Sequence, residues 1–339
     1  MNLSQQIQSV LLEITGAKEI IRQEMIQSLW SNYGGIFRCE FQASQGENTL
    51  IVKHIKFPDI PIHPRGWNTP LSHARKVKSY EVEMNWYRHF SRHCNDDCRV
   101  ASCLSTSIFE DERTLVLEDL DEKGFSLRYA TLDKIKIKHC LSWLANFHAR
   151  FMGTLPEGLW DRGTYWHIDT RPDELSAMPE GELKTNAMRI AKKLDDCQYQ
   201  TLVHGDAKVA NFCFSDDETS VAAVDFQYVG AGCGMKDVAY LIGSCLTESE
   251  CDQWQDELLD FYFETLKSSL ERHNKQIDWK GLQQEWTQMY AIAWTDFYRF
   301  LSGWMPDHPK FNTYGHQVTK EALETLGSSH RSESGKRIC

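Results

Sequence analysis

The stretch Leu202-Val203-His204-Gly205-Asp206-Ala207-Lys208-Val209-Ala210-Asn211, followed by Ala223-Val224-Asp225-Phe226-Gln227, constrains this chain more than any other part of it. Asp206, Asn211 and Asp225 are polar side chains planted between apolar, strand-like runs. That arrangement suits holding Mg²⁺ and a nucleotide phosphate while a hydroxyl is deprotonated. Phosphoryl transfer needs positioning and charge neutralisation more than covalent chemistry. Mg²⁺ prefers hard oxygen ligands and keeps several waters, so one carboxylate and one amide oxygen from the protein suffice. Asp206 is the candidate base, Asn211 the amide ligand and Asp225 the carboxylate ligand. The step from Asp206 to Asn211 fits a short loop closing on itself, and the step on to Asp225 fits a β-hairpin turning at Ser215-Asp216-Asp217-Glu218-Thr219.

The chain has 339 residues, 41% of them hydrophobic and 25% charged, which suits one large domain or two lobes rather than a disordered chain. A formal charge of −11 argues against a nonspecific nucleic-acid binder, which needs a basic excess to track phosphates. A neutral or cationic small molecule fits that charge better, and a local basic cleft can still hold ATP. No apolar run approaches the roughly 20 residues of a membrane helix, and the N-terminus lacks a basic stretch leading into an apolar core. A cytoplasmic location is expected, with no membrane partner. Eleven cysteines, an odd count without a CxxC pair, point to reduced thiols. His89, His93, Cys94, Cys98 and Cys103 contain metal-compatible spacings but read as ordinary helix-end residues.

Along the chain, residues 4–29 read as one or two helices interrupted at Gly16, from the apolar spacing of Ile7, Val10, Leu11 and Ile14 and then Ile20, Ile21, Met25 and Leu29. Ile36 to Phe41 and Thr49 to Ile55 read as a strand pair around a turn at residues 45–48, with Tyr33-Gly34-Gly35 at its entry and Lys53 on its second strand. Residues 57–70 carry four prolines and read as a loop. A polar helix at about 72–92 contains Glu81 and Glu83. Val100 to Phe109 and Thr114 to Leu117 read as a second strand pair. Residues 118–124 form a linker that sets a boundary near residue 120. Residues 131–152 are a strong amphipathic helix, and 235–326 are mostly helical. This gives an N-terminal nucleotide-binding lobe over 1–120, a catalytic and substrate lobe over 121–326, and a polar mobile tail over 327–339.

The pattern HGDxxxxN, followed by an Asp after an apolar run, resembles the catalytic and metal motifs of the kinase-like phosphotransferases. These include the aminoglycoside phosphotransferases, the choline kinases and the ecdysteroid-kinase-like proteins. The chain is most similar to the last of these in its Asp225-Phe226-Gln227 and in Asp237 a dozen residues on. The resemblance implies an α+β, two-lobed protein-kinase-like fold with a small β-rich N-lobe and a larger, mostly helical C-lobe. It also implies transfer of the γ-phosphate of ATP or GTP, with Mg²⁺, to the hydroxyl of a small molecule. On these residues, Asp206 resembles the catalytic aspartate, and Asn211 and Asp225 the metal ligands. Lys208 is placed to reach the γ-phosphate, His204 to buttress the loop and Asp237 to tie its backbone amides. Lys53 is similar to the lysine that contacts the α- and β-phosphates, and Glu83, preferred over Glu81, to its helix partner. An inward lysine on an apolar strand is costly without such a partner.

Two features depart from the pattern or stay silent. Only Gly34 and Gly35 stand where a G-x-G-x-x-G phosphate loop would be ideal, although two glycines still allow a close approach to phosphate. Leu117-Glu118-Asp119-Leu120 resembles the hinge that binds the purine through backbone groups, which leaves ATP and GTP undistinguished. The C-terminal half is rich in aromatics, Trp254, Phe261, Tyr262, Trp286, Tyr290, Trp294, Phe297, Tyr298 and Trp304 among them. Core packing is the default for each; some could line a pocket for a cationic or apolar alcohol. An atypical protein kinase is the first rival reading, but no activation segment separates Asp225 from Asp237. A nucleotide-binding pseudokinase scaffold is the second, but a scaffold needs none of Lys53, Asp206, Asn211 and Asp225. Oligomeric state is not encoded in any of these motifs.

Overall fold

A serine cap opens the chain's order. Ser4 accepts the Ile7 amide and starts helix α1 (Gln5–Thr15), and Gly16 ends it in the left-handed conformation at φ 63°. The computed structural model describes residues 3–29, 33–42, 48–57 and 69–334. After α1 come β1 (Ile20–Ser28), β2 (Gly34–Phe41), β3 (Thr49–Lys56), α2 (Pro70–Asn85), β4 (Arg99–Val100), β5 (Cys103–Phe109) and β6 (Glu112–Glu118). Then follow α3 (Lys134–Arg150), α4 (Pro172–Ala177), α5 (Glu182–Thr185), α6 (Ala187–Asp195), β7 (Thr201–Val203), β8 (Phe212–Phe214), β9 (Val221–Ala223) and β10 (Gly230–Gly232). Four helices close the chain: α7 (Met235–Cys245), α8 (Glu248–Arg272), α9 (Trp279–Trp304) and α10 (Thr313–Ser334). The fold is α+β. No helix among the described residues is long and apolar enough to cross a membrane.

The chain divides into two units: Met1–Leu127 together with Cys213–Gln227, and Arg128–Phe212 together with Tyr228–Cys339. The first unit is built on a five-stranded sheet in the order β1-β2-β3-β6-β5, with every pairing antiparallel. Ile7 and Leu11 of α1 pack with Phe37, Cys39, Leu50, Val52 and Val116 to cover one face of it. Residues 20–28 are therefore a strand and not the helix their sequence spacing predicts. As an edge strand, β1 is largely exposed and shifts register twice along β2, so it shows no alternation for a sequence pattern to betray. The segment from Val100 to Phe109 also departs from a single strand. Val100 pairs in parallel with Ala223 of β9, and only from Cys103 does the chain join β6. The turn at 45–47 and the proline-rich loop from 58 onward lie outside the described residues.

The second unit is helical around two short strands, β7 and β10. Helix α3 starts at Asp133, whose carboxylate accepts the amides of Ile135 and Lys136, and it runs buried from Ile137 to Ala149 on its inner face. Tyr262 and Trp286 are fully buried, which makes these aromatics core. Helix α10 continues through Ser334, past residue 327 where the sequence predicts a mobile tail to begin. His89, His93, Cys94, Cys98 and Cys103 form no metal-holding group among the described residues.

Candidate active site

In the first unit, the register of β3 settles which lysine is internal. Lys53 lies opposite Ile36 on β2 and Leu115 on β6 and is only 5% exposed. Its Nζ lies 2.8 Å from Oε1 and 2.6 Å from Oε2 of Glu83, and 3.4 Å from Oδ1 of Asp225. Glu83 is buried whereas Glu81, two residues earlier on α2, is exposed, so Glu83 is the partner. Burial alone would push the Lys53 ammonium down, but Glu83 and Asp225 outweigh it and its pKa is raised. Lys53 is thus held in its charged form. Burial works against the Glu83 charge, Lys53 supports it, and Asp225 again opposes it. Two carboxylates contact one ammonium here.

Asp225 sits at φ 69°, a left-handed conformation that aspartate tolerates better than most residues. It follows directly on the β8–β9 hairpin. Gln227 donates from Nε2 to Asp225 Oδ1 at 2.6 Å, and Lys76 of α2 donates to Gln227 Oε1 at 2.7 Å. Phe226 between them stacks on Trp86, with ring centroids 4.5 Å apart, which anchors the segment. Gly34 and Gly35 open β2. Gly34, at φ 124°, would place a Cβ 2.1 Å from the His54 carbonyl oxygen, so the sheet by itself requires glycine there. The Glu118 carboxylate accepts from the Ser102 amide at 2.7 Å and from Arg99. Asp119 is paired with Arg38. These acidic side chains are spent on structure. Leu120 is 4% exposed and its carbonyl accepts the Phe125 amide at 2.9 Å.

In the second unit, Asp206 is 5% exposed. Its Oδ2 accepts from Lys208 Nζ at 2.9 Å and from Asn211 Nδ2 at 3.2 Å, and Tyr240 donates to its Oδ1 at 3.3 Å. Asn211 Nδ2 also donates to the Asp206 carbonyl at 2.8 Å, which closes the loop on itself as the spacing predicts. The Asn211 amide nitrogen is committed, while its oxygen accepts no hydrogen bond among the described residues. Each unit by itself presents a hard oxygen donor of the kind a divalent cation takes, the Asn211 amide oxygen in the second and the Asp225 carboxylate in the first.

The loop itself is braced from below. Asp237, fully buried in the first turn of α7, accepts the His204 amide at 2.6 Å and the Gly205 amide at 2.9 Å. His148 Nε2 lies 3.2 Å from the same carboxylate and Nδ1 2.7 Å from the Tyr262 hydroxyl. An ionised aspartate only accepts, so Nε2 carries a proton, and in the neutral imidazole Nδ1 then accepts from the Tyr262 hydroxyl. Burial keeps that phenol protonated by raising its pKa. His204 Nδ1 accepts the Asp206 amide at 3.3 Å, a buttressing contact. Gly205, at φ 79°, would drive a Cβ to 2.1 Å from the Tyr228 carbonyl, so no other residue fits. Thr164, at φ 108°, and Tyr165 close the other side, the Tyr165 amide donating to the Gly205 carbonyl at 3.1 Å.

Lys76, Gln227, Tyr240 and His148 are the residues that sequence reasoning missed. Lys76 carried a signal, since it stands seven residues before Glu83 and so on the same face of α2.

Residues 168–275 match the model of the ecdysteroid kinase-like family. Among solved structures, the amicoumacin kinase hAmiN, in complex with AMP-PNP, Ca²⁺ and Ami, aligns at 13% identity over 96% of this chain and 94% of its own, with a TM-score of 0.51. A putative aminoglycoside phosphotransferase from Ralstonia eutropha JMP134 aligns at 13% identity over 96% of both chains, with a TM-score of 0.52. The chain has the kinase-like phosphotransferase fold. In that kinase-like fold the family match spans the loop from His204 to Asn211, the Asp225-Phe226-Gln227 segment and Asp237, while Lys53 and Glu83 fall outside it. No curated protein sequence matches the chain.

Proposed function

We propose that the protein is a small-molecule kinase that moves the γ-phosphate of ATP or GTP to the hydroxyl of its acceptor. The observation that carries this reading is Lys53, a buried ammonium between Glu83 and Asp225. A lysine so placed is kept charged by its two carboxylates, the state in which it can neutralise phosphate. Lys53 contacts the α- and β-phosphates, and the backbone around Gly34, Gly35, Glu118 and Leu120 serves the nucleotide. Asn211 and Asp225 would hold Mg²⁺, which would supply neutralisation of the phosphate charge. Asp206 orients the acceptor hydroxyl and takes its proton as the oxygen forms its bond to the γ-phosphorus. The bond from that phosphorus to the β–γ bridging oxygen breaks, and the nucleoside diphosphate leaves with the electron pair. Lys208 and Tyr240 hold the Asp206 carboxylate in place for this step, and Lys208 offers its charge to the transferred group.

The nucleotide half is tested by thermal unfolding with Mg-ATP and Mg-GTP. At a hundred times Kd, binding stabilises the folded chain by about 2.7 kcal/mol, and no shift with either nucleotide would sink the reading. The transfer half is tested by nucleoside-diphosphate release in the presence of choline, steroids, sugars and aminoglycosides. A kinase acting on a small alcohol gives release that depends on one of these classes.

A further inference from the structure

Gln227 is 5% exposed, makes strong polar contacts, and has no task in the phosphotransfer chemistry. Lys76 Nζ, 2.7 Å away, can only donate, so the Gln227 atom facing it must be Oε1. The Ser79 hydroxyl lies 3.3 Å from the same oxygen. Nε2 therefore points at Asp225 Oδ1, 2.6 Å away, and donates to it. A glutamate of the same shape could not do this, having no proton to give. The contacts close a ring within the first unit. Helix α2 supplies Lys76 and Glu83, Lys76 reaches Gln227, Gln227 reaches Asp225, Asp225 reaches Lys53, and Lys53 returns to Glu83.

We propose that Gln227 is a positioning residue that fixes the Asp225 carboxylate for a divalent cation while holding the Lys76 ammonium one amide away from it. The proposal rests on the reading of Asp225 as a metal ligand. Lys53 already stands 3.4 Å from Asp225. A second ammonium in direct contact would neutralise the carboxylate and compete with the cation for it. The amide passes on the anchorage of Lys76 without its charge. Lys76 is itself steadied over the Tyr80 ring, 4.6 Å from its centroid. Partners of this kind set ligand orientation, and losing one costs about 10–100-fold in metal affinity.

The test is thermal unfolding of the full chain with saturating ADP and titrated MgCl₂, read as the Mg²⁺ concentration that gives half the shift. Gln227→Ala should raise that midpoint about tenfold or more and leave the shift given by ADP in EDTA unchanged. Gln227→Met keeps the volume and serves if the alanine variant folds poorly. Lys76→Met decides between the relay and plain electrostatics. A nearby positive charge opposes Mg²⁺, so its removal would lower the midpoint if Lys76 acted alone. The relay requires the midpoint to rise, and the double variant to lie within about twofold of Gln227→Ala because the two residues act in series. An unchanged midpoint in both Gln227 variants, or a lower one in Lys76→Met, overturns the relay. A wild-type chain with no Mg²⁺-dependent shift overturns the metal reading of Asp225 as well, which tells the two failures apart.

Discussion

Replacing Lys53 by methionine removes the only ammonium within 4 Å of Glu83 among the described residues and leaves two carboxylates without it. Breaking a buried pair by deleting one partner costs about 3–5 kcal/mol. Unfolding entropy is about 2.1 cal/mol/K per residue, so over 339 residues that cost lowers Tm by about 4–7 °C. Part of it is escapable, because Asp225 keeps about a third of its side chain exposed while Glu83 keeps 2%. The orphaned charge is therefore Glu83. Without Lys53 its folded pKa rises further above the unfolded value, so protonation relieves the strain. The folded variant binds more protons than the unfolded chain above the ordinary carboxylate range. Its deficit against wild type should shrink as pH falls toward the carboxylate range and grow as pH rises until Glu83 is ionised in the folded variant.

The double variant Lys53→Met/Glu83→Leu makes the prediction sharper. Replacing a buried ion pair by apolar residues of similar size is often neutral or stabilising, so the double variant should melt higher than Lys53→Met alone. On the proposed role of Lys53 it should still give no Tm shift with Mg-ATP. Thermal unfolding of wild type, both single variants and the double variant at pH 5 and pH 8 is the assay. A double variant less stable than either single one would refute the reasoning, because the two side chains would then contribute independently. A Lys53→Met deficit that does not depend on pH would refute the assignment of the burden to Glu83.

Asp206→Asn should lower turnover by about 10²–10⁴-fold, the usual contribution of a positioned base, and keep the Mg-nucleotide Tm shift; turnover near wild type would reassign the base. Asp237→Asn should lower Tm by about 3–6 °C, from about 2–4 kcal/mol for lost charged hydrogen bonds to two buried amides, as thermal unfolding would show. Burial lowers the Lys310 pKa from 10.5 to about 8, so between those values the unfolded chain binds more protons and stability rises with pH. Lys310→Met should therefore raise Tm at pH 7 by a degree or more, and scans at rising pH should show that gain fading between pH 8 and 10.5.

The parts of the site that were legible in the sequence are those whose logic is local. Asp206 and Asn211 lie five residues apart, and a loop that short can close only by folding its amide back on its own carbonyl. Lys53 was legible for a different reason. A lysine in the apolar strand Leu50-Ile51-Val52-Lys53 that faces inward must have a partner for its ammonium. Glu83 then had only one rival, Glu81, and burial decided between them. Residues 20–28 failed because Ile20, Ile21 and Met25 imitate helical spacing, while the strand they form is an exposed edge with two register shifts. The hydrophobic period reports a buried face, and this element has almost none.

Gln227 and Lys76 stayed hidden for a reason that no local pattern can repair. They are 151 residues apart, and neither sits in an apolar run that would mark its polarity as costly. What brings them together is the same arrangement that buries Glu83, because Lys76 is two helical turns before it on one face of α2. A helix that must present Glu83 to Lys53 must also present Lys76 to whatever lies beside Asp225. Asp225 is left-handed at φ 69°, and Phe226 is pinned against Trp86. That leaves Gln227 as the next side chain able to meet α2. The amide at this position therefore follows from the Lys53–Glu83 pair once the backbone of the Asp225-Phe226-Gln227 segment is known.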